Sequence, residues 1–400
     1  MEYLKFSKFI KNVQYGYTAD STSIVEGDAK YLRITDIVPY FVDKNRVPYC
    51  QITKNKKSKY LVKENDLLIA RTGATTGYNL LVPKDYDNFI FASYLVRVNY
   101  DKKQIYPKYL KYILKSQQWY GFIKNFIGGS AQPGMNPKTF GKFEFPFTGY
   151  DNQMKIAQLL EKYDNLIELN IYRVQILEQI AENQYKDWFV KFRVPGYKNY
   201  KFVIQNPRGW MLSTCESKMR IPIGWKYDEL ISIAEFKRGK NVTAAEMFEG
   251  EIPVISAGLN PSGYHNEANV FGKNITVSSS GANAGYLSYH LGDIWAADCS
   301  YYQNDSNLWF VYNALKFLQP VISNMQVGSA QPHVYAKTIN KLSTIIPPNE
   351  LIELYCEKVN PIYEQIRLLT LANENLVKQR DALLPRLMSG KLNLEGKEIV

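Results

Sequence analysis

Hydrophobic residues recur at helical spacing over two stretches far longer than an ordinary core helix. In 151–192, Ile156, Leu160, Tyr163, Ile167, Val174, Leu177, Ala181 and Trp188 fall at alternating steps of four and three, or multiples of those steps. This is the seam of a long amphipathic helix, and no glycine or proline interrupts it. At ~1.5 Å per residue, about 40 residues give a rod of roughly 60 Å, longer than a 150-residue domain is wide. From 349 to about 384, Ile352, Tyr355, Val359, Ile362, Ile366, Leu369, Leu376 and Leu383 repeat the step. Two rods imply a pair, packed antiparallel along matched faces. Asn170 and Asn373 either interrupt the two seams, where a buried asparagine fixes register at a cost in stability, or lie just beside them.

The remainder has a different period. In residues 1–150, YLRITDIV, NDLLIARTG and NFIFASYLVRV are β-rich runs bounded by turn residues, and a helical pattern follows Pro107 to 124; together they predict a mixed α+β domain. Between the strands, TKNKKSK (53–59) predicts a polar basic loop, either a solvated hairpin tip or a set of phosphate contacts. The loop 71–77, Arg-Thr-Gly-Ala-Thr-Thr-Gly, frames hydroxyl groups with two glycines directly after an apolar strand, as where a backbone approaches something closely. It is no nucleotide phosphate loop, because Tyr78 and Asn79 follow Gly77 in place of Lys-Ser/Thr.

Both features recur. NITVSSS leads into Gly281-Ala-Asn-Ala-Gly285-Tyr286, matching 73–78 at an offset of 208 residues, glycine for glycine and tyrosine for tyrosine. Gly129-Ser-Ala-Gln-Pro133 returns as Gly328-Ser-Ala-Gln-Pro332, and Lys138-Thr139 as Lys337-Thr338. The chain is an internal duplication: a first domain at 1–150, a spacer helix at 151–192, a Pro/Gly/Asn-rich linker at 193–220, a second domain at 221–348, a second helix at 349–390 and a tail at 391–400. The predicted fold class is α+β: two tandem domains of mixed β-sheet with short helices, separated by two long antiparallel coiled-coil helices in an internal pseudo-twofold arrangement.

Composition bounds the function. Four hundred residues exceed one core, and 46% apolar residues suffice for two. Cys50, Cys215, Cys299 and Cys356 share no CxxC spacing, and with only His265, His290 and His333 beside them neither a metal site nor a disulfide framework emerges. Nowhere do 18 apolar residues run together, and MEYLKFSKFIKNVQ holds no signal run; no membrane association and a cytoplasmic location are expected. The net charge of +11 resides in the first domain, whose 23 Lys and Arg face 12 Asp and Glu, whereas 221–348 holds 8 basic and 10 acidic residues. The basic first domain points to a polyanion, nucleic acid foremost. A lysine-rich proteome would also explain part of the excess.

These features together resemble the specificity (S) subunits of type I restriction-modification systems, over essentially all 400 residues. The carriers are the domain-plus-rod order, GSAQP before each rod, DWFVKF at 187–192, IPIGW at 221–225 and LLPRLMSGKL at 383–392. The resemblance implies that each domain is a target recognition domain reading one half of a split, asymmetric site in double-stranded DNA. It implies no catalytic residue and no cofactor in this chain. Two methyltransferase (M) subunits, binding S-adenosylmethionine and modifying adenine, and restriction (R) subunits using ATP are the implied partners. The rods would set the spacer and dock the M subunits.

Candidate contacts follow from side-chain chemistry. Arg71 offers a bidentate fork to guanine, and Thr72, Thr75 and Thr76 offer hydroxyls, with Ser278, Ser279, Ser280 and Asn283 as counterparts. Lys54, Lys56, Lys57 and Lys59 are phosphate candidates, as are Lys237, Arg238 and Lys240. Gln132 and Gln331 are identical in the two copies, which favours fixing each domain to its rod over reading an adenine edge. His333 replaces Gly134 after the repeated motif, as a contact or an exposed side chain. Phe189, Phe192 and Leu387, expected to be exposed near the rod ends, are the partner-docking candidates.

Enzyme readings fit poorly. A nuclease needs clustered carboxylates, and Glu216-Ser-Lys218 stands without any Pro-Asp pair. An adenine methyltransferase needs Asn/Asp-Pro-Pro-Tyr/Phe; Asn260-Pro-Ser-Gly and Pro347-Pro-Asn-Glu are the nearest fragments. A specificity adaptor of another phage-defence methylation system satisfies the same pattern. A purely structural coiled coil leaves the duplicated domains unexplained.

Overall fold

Four consecutive apolar residues, Leu67–Ala70, form a strand whose alternate side chains enter two different cores. Leu67 and Ile69 join a buried cluster with Trp119, Phe145, Ile156 and Leu160, whereas Leu68 and Ala70 join one with Leu32, Leu80 and Phe91. Burial on both faces explains the unbroken run in place of alternation. The computed structural model describes residues 2–22, 28–127, 135–205, 219–243, 246–247, 250–325 and 332–388. The chain divides into two compact units, Met1–Asn170 with Ala372–Val400, and Ile171–Leu371.

The first unit contains β1 (Glu2–Lys5), β2 (Ile10–Tyr15), β3 (Ala29–Leu32), β4 (Tyr49–Cys50), β5 (Leu67–Ala70), β6 (Asn79–Leu81), β7 (Phe89–Phe91), β8 (Leu95–Tyr100) and β9 (Glu144–Phe147). They form a β1-β9 pair, an antiparallel sheet in the order β2-β8-β5-β6, and a sheet β4-β3-β7 in which β3 and β7 run parallel. In the second unit, an antiparallel pair β10 (Phe202–Gln205) and β11 (Met219–Pro222) precedes β12 (Lys226–Glu229), β13 (Lys237–Arg238), β14 (Ile252–Ile255), β15 (Gly263–His265), β16 (Asn274–Ser278), β17 (Leu287–His290), β18 (Trp295–Ala296), β19 (Cys299–Tyr302) and β20 (Ser343–Ile346). Their orders are β12-β20, β13-β19-β16-β17 and β15-β14-β18, with β14 and β18 parallel. Strand for strand, β12 to β20 repeat β1 to β9.

Two long helices complete the α+β fold: Tyr150–Tyr185, continued by a π turn at Lys186–Val190, and Asn349–Met388. Phe192, expected to end the first rod, lies beyond it with a left-handed φ of 57°. In the first unit the helices run antiparallel. The Asn170 side-chain amide donates to Asn373 Oδ1 at 2.9 Å, and that of Asn373 donates to the Ile167 carbonyl at 3.3 Å. Asn170 is buried. The two amides therefore pair across the seam, where a one-turn slip would break both bonds.

A buried ionic cluster joins the first domain to both helices of its unit. Asp164 accepts hydrogen bonds from Lys111 Nζ at 2.6 Å, Arg380 Nη1 at 2.8 Å, Tyr112 Oη at 2.9 Å and Tyr40 Oη at 3.0 Å. Burial pushes the Asp164 carboxyl upward, but Lys111 and Arg380 outweigh it and hold the group below its ordinary value. Lys115 Nζ lies 3.9 Å from the Tyr40 ring centroid and donates to the Tyr40 carbonyl at 3.2 Å. Burial, then repulsion from Lys111, pushes its ammonium down to about 7. In the second unit the comparable junction is aromatic: Trp309 stacks on Tyr363 with centroids 3.5 Å apart, and Tyr289 Oη donates to Glu178 at 2.6 Å.

Asp164→Ala is expected to destabilise the protein by about 3 kcal/mol in urea unfolding, because it strands the buried Arg380 and the half-buried Lys111. Lys115 has a folded pKa below its ordinary 10.5, so the unfolded chain binds more protons above about pH 7 and this group adds stability as pH rises. Lys115→Met should raise the melting temperature at pH 7 and flatten its rise between pH 7 and 9.

Candidate nucleic-acid interface

Each unit carries one loop of the same construction at the end of its central strand. After β5 the chain turns through Gly73 and Gly77, with φ of 76° and 90°; after β16 it turns through Gly281 and Gly285, with φ of 74° and 82°. Gly77 N–H donates to the Ala70 carbonyl at 2.8 Å, and Gly285 N–H to that of Ser278 at 2.8 Å. A Cβ on Gly77 would lie 2.7 Å from Ile123, and one on Gly285 2.9 Å from Ile322. The close approach read from the glycines is thus to the protein's own helices, Gln117–Ile127 and Gln319–Asn324.

Two further glycines bring a second segment alongside. A Cβ on Gly16 would meet the Ala92 carbonyl oxygen at 2.1 Å, and one on Gly239 that of Ala297 at 2.4 Å. Arg71 N–H donates to the Tyr94 carbonyl at 3.1 Å, and Ser279 N–H to that of Asp298 at 3.2 Å. Three backbone segments therefore converge in each unit: 15–17, 71–78 and 92–95 in the first, 238–240, 279–286 and 296–299 in the second.

The first convergence presents donors and rings. Arg71 is half-buried; its Nε donates to the Ser93 carbonyl at 3.3 Å and its guanidinium lies 5.1 Å from the Tyr15 ring centroid. Tyr15 and Tyr94 are 51% and 58% exposed, open enough to stack on a ligand. Thr72 and Thr75 are half-buried, but Thr76 is buried with its hydroxyl donated to the Gly73 carbonyl at 2.8 Å. Thr76 is therefore a loop brace, which corrects its place among the contacts. The expected basic loop is a two-turn helix, Lys54–Tyr60, anchored by Tyr60 against Tyr17 with centroids 5.3 Å apart. On it Lys54, Lys56 and Lys59 are exposed and Lys57 is half-buried.

The second convergence is an open cleft of about 750 Å³ lined by residues including Arg238, Ser279, Ser280, Asp298, His333 and Tyr335. Lys237, Arg238 and Lys240 are exposed. Ser280 Oγ donates to Asp298 Oδ2, and His333 stacks on Tyr335 at 5.6 Å. Ser278 and Ser279 are buried, Ser278 donating to the Ala257 carbonyl at 3.2 Å, and half-buried Asn283 donates to the same carbonyl at 3.4 Å. Ser278 and Asn283 thus hold the loop together, a correction to their assignment. Tyr15 and Tyr94 in the first unit and Asp298 in the second are not legible as site residues from sequence, because strand ends distant in the chain bring each beside its own unit's loop.

The docking expectation also changes. Phe189 is buried among Tyr185, Phe310, Trp225 and Tyr355, and Leu387 is buried in the cluster that holds Ile156 and Leu160. Phe192 is half-buried, packed on Trp225 at 5.4 Å and Phe202 at 5.9 Å. These aromatic and aliphatic groups close their units' own cores and are not exposed docking residues. Gln132, Gln331, Glu216 and Lys218 lie outside the described residues.

The groups gathered here suit recognition by hydrogen bonding and stacking. Among the described residues no group of three or more His, Cys, Asp or Glu is placed to hold a metal ion. Burial pushes the thiols of Cys50 and Cys356 up to about 11 and of Cys299 to about 12, away from thiolate chemistry. No helix among the described residues is long and apolar enough to cross a membrane.

A family profile described as type I restriction modification DNA specificity domain matches residues 21–181 and 222–376. The Type I restriction enzyme MjaIX specificity subunit of Methanocaldococcus jannaschii is 26% identical over 420 residues, covering 95% of this chain and 91% of that relative. The Type I restriction enzyme HindI specificity subunit of Haemophilus influenzae is 21% identical over 430 residues, covering 87% and 92%. The crystal structure of a type I restriction-modification system S subunit from M. genitalium matches in fold with a TM-score of 0.50 at 20% identity, over 96% of this chain and 95% of that one.

Gly16→Ala and Gly239→Ala each force a Cβ into backbone carbonyls and should cost about 3 kcal/mol. Gly73→Ala, where space is open and only φ is strained, should cost about 1 kcal/mol. Melting temperatures of the three variants test this order.

Proposed function

The chain belongs to the type I restriction-modification DNA specificity family, and from that premise we propose that it reads a split, asymmetric site in double-stranded DNA, each domain taking one half. The observation that carries the reading is one fold repeated strand for strand with different side chains at matched positions: Arg71 against Ser279, Tyr94 against Asp298. Equal backbones with unequal readers select unequal half-sites, which two identical chains related by symmetry cannot do.

The long helices set the gap between half-sites. Thirty-six residues make about 54 Å of helix, longer than one duplex turn of about 34–36 Å. Spacing on that scale converts into helical phase. Two methyltransferase subunits dock on this frame and supply S-adenosylmethionine-dependent adenine methylation, and ATP-using restriction subunits supply cleavage; this chain contributes specificity and no catalytic group. The complex works in the cytoplasm.

Grip is divided unequally. Exposed Lys54, Lys56 and Lys59 neutralise phosphates in the first domain, whereas the second, with 8 basic and 10 acidic residues at 221–348, relies on Lys237, Arg238 and Lys240 and on groups from its partners.

Co-expression with the neighbouring methyltransferase and sequencing of methyladenine tests the proposal. A bipartite motif with a fixed gap is expected, and a continuous motif would overturn it. Arg71→Ala should weaken the first half-site alone by ~1–3 kcal/mol; equal loss at both halves would remove Arg71 from base reading. Replacing Lys54, Lys56 and Lys59 together by Ala should lower affinity for every DNA sequence alike and make log K against log salt shallower by about 2–3.

A further inference from the structure

Resting on that reading of the second domain, we infer that Asp298 is a specificity-determining residue that accepts a hydrogen bond from the N4 amino group of a cytosine in the half-site this domain reads. Asp298 occupies the position that Tyr94 holds in the first domain. Each offers its backbone carbonyl to the loop residue after the central strand, Arg71 or Ser279. The carbonyls of the residues that follow, Leu95 and Cys299, accept from Gly16 N–H at 3.2 Å and Gly239 N–H at 2.8 Å. The equivalence is fixed by backbone bonds on both sides.

The carboxylate is half-buried in the 750 Å³ cleft, held by the Ser280 hydroxyl. Among the described residues no lysine or arginine forms an ion pair with it. Ser300, 1% exposed, lines the same cleft, and its hydroxyl has no hydrogen-bond partner among the described residues. The cleft therefore holds an unpartnered hydroxyl beside a carboxylate that is outside any ion pair, with the cations Arg238 and Lys337 elsewhere on the same lining.

A carboxylate turned to DNA outside any ion pair opposes binding unless a base donates to it. In the major groove the donors are the amino groups of cytosine and adenine; guanine and thymine present acceptors there. With its proton committed to Asp298, the Ser280 oxygen is a second acceptor beside the carboxylate. That pair repels the N7 lone pair adjoining the adenine amino group, whereas cytosine presents its amino group with no neighbouring acceptor on that edge. The first domain offers the opposite polarity at its Arg71 fork. Like-charge exclusion at one site and bidentate donation at the other make the two domains unable to exchange half-sites.

The test uses the assembled methyltransferase complex and duplexes of its mapped motif, with each cytosine in turn replaced by 2-pyrimidinone, which lacks the amino group. One cytosine in one half should become sensitive, binding falling about ten- to hundredfold. Asp298→Ala, which removes the acceptor, should reduce that penalty below about threefold while leaving the other half unchanged. The inference is overturned if no cytosine of either half is sensitive on the unaltered protein, a result independent of whether any variant folds, or if the sensitivity persists in Asp298→Ala. A wild-type motif that is continuous would instead overturn the proposed function, and is read before the analogue duplexes are made.

Discussion

Within each unit the long helices form one wall of the core, so a domain and the helix segments beneath it fold as one object. Ile156, Ala157, Leu160, Leu384 and Leu387 are buried in the same cluster as Phe6, Trp119 and Phe145, while Ala181, Tyr185, Ile352, Tyr355, Val359 and Tyr363 are buried with Trp225, Phe310 and Ile275. Removing either wall would expose several large apolar side chains, each worth about 1.5–3 kcal/mol of burial. Such a domain has no separate interface along which to rock on its helices. Its direction is decided by core packing.

The two junctions reach that rigidity by different chemistry. The Asp164 cluster concentrates two cations, two phenols and one carboxylate, a construction that is directional and intolerant of single losses. The Trp309, Tyr289 and Tyr363 junction depends on ring area and stacking, with the Tyr289–Glu178 bond as its polar fastening. One fold thus accommodates an ionic and an aromatic solution at comparable places. What the duplication preserved is the backbone frame, and the polarity of the contacts was free to diverge.

The same division explains how much was legible beforehand. Glycines at 73, 77, 281 and 285 answer to backbone geometry, which leaves a spaced and repeated trace in sequence; the long seams do likewise through their period. Tyr94 and Asp298 leave no trace, since they sit at strand ends joined to the loop only through sheet pairing. The Lys54–Tyr60 helix reads as a loop from sequence because its lysines carry no apolar period, and its anchors, the Tyr60 ring and the Lys59 carbonyl bonded by Gln14 and Arg97, depend on distant strands. Phe189 and Leu387 read as exposed from sequence because their covers come from distant segments of the chain: Phe310, Trp225 and Tyr355 around the first, the Ile156 region around the second.

In both units, the residues that shape the reading loop are not the residues that project from it. Gly16, Gly77 and Ile123 set the backbone of one, Gly239, Gly285 and Ile322 that of the other, while Arg71, Tyr94 and Asp298 stand clear of those contacts. On the proposed reading, selection for folding and for target choice act on largely separate positions, Arg71 and Asp298 sharing both roles through their bonds to Ser93 and Ser280. On the same reading, a new DNA target needs only a new projecting side chain, on a loop whose backbone is held by other residues.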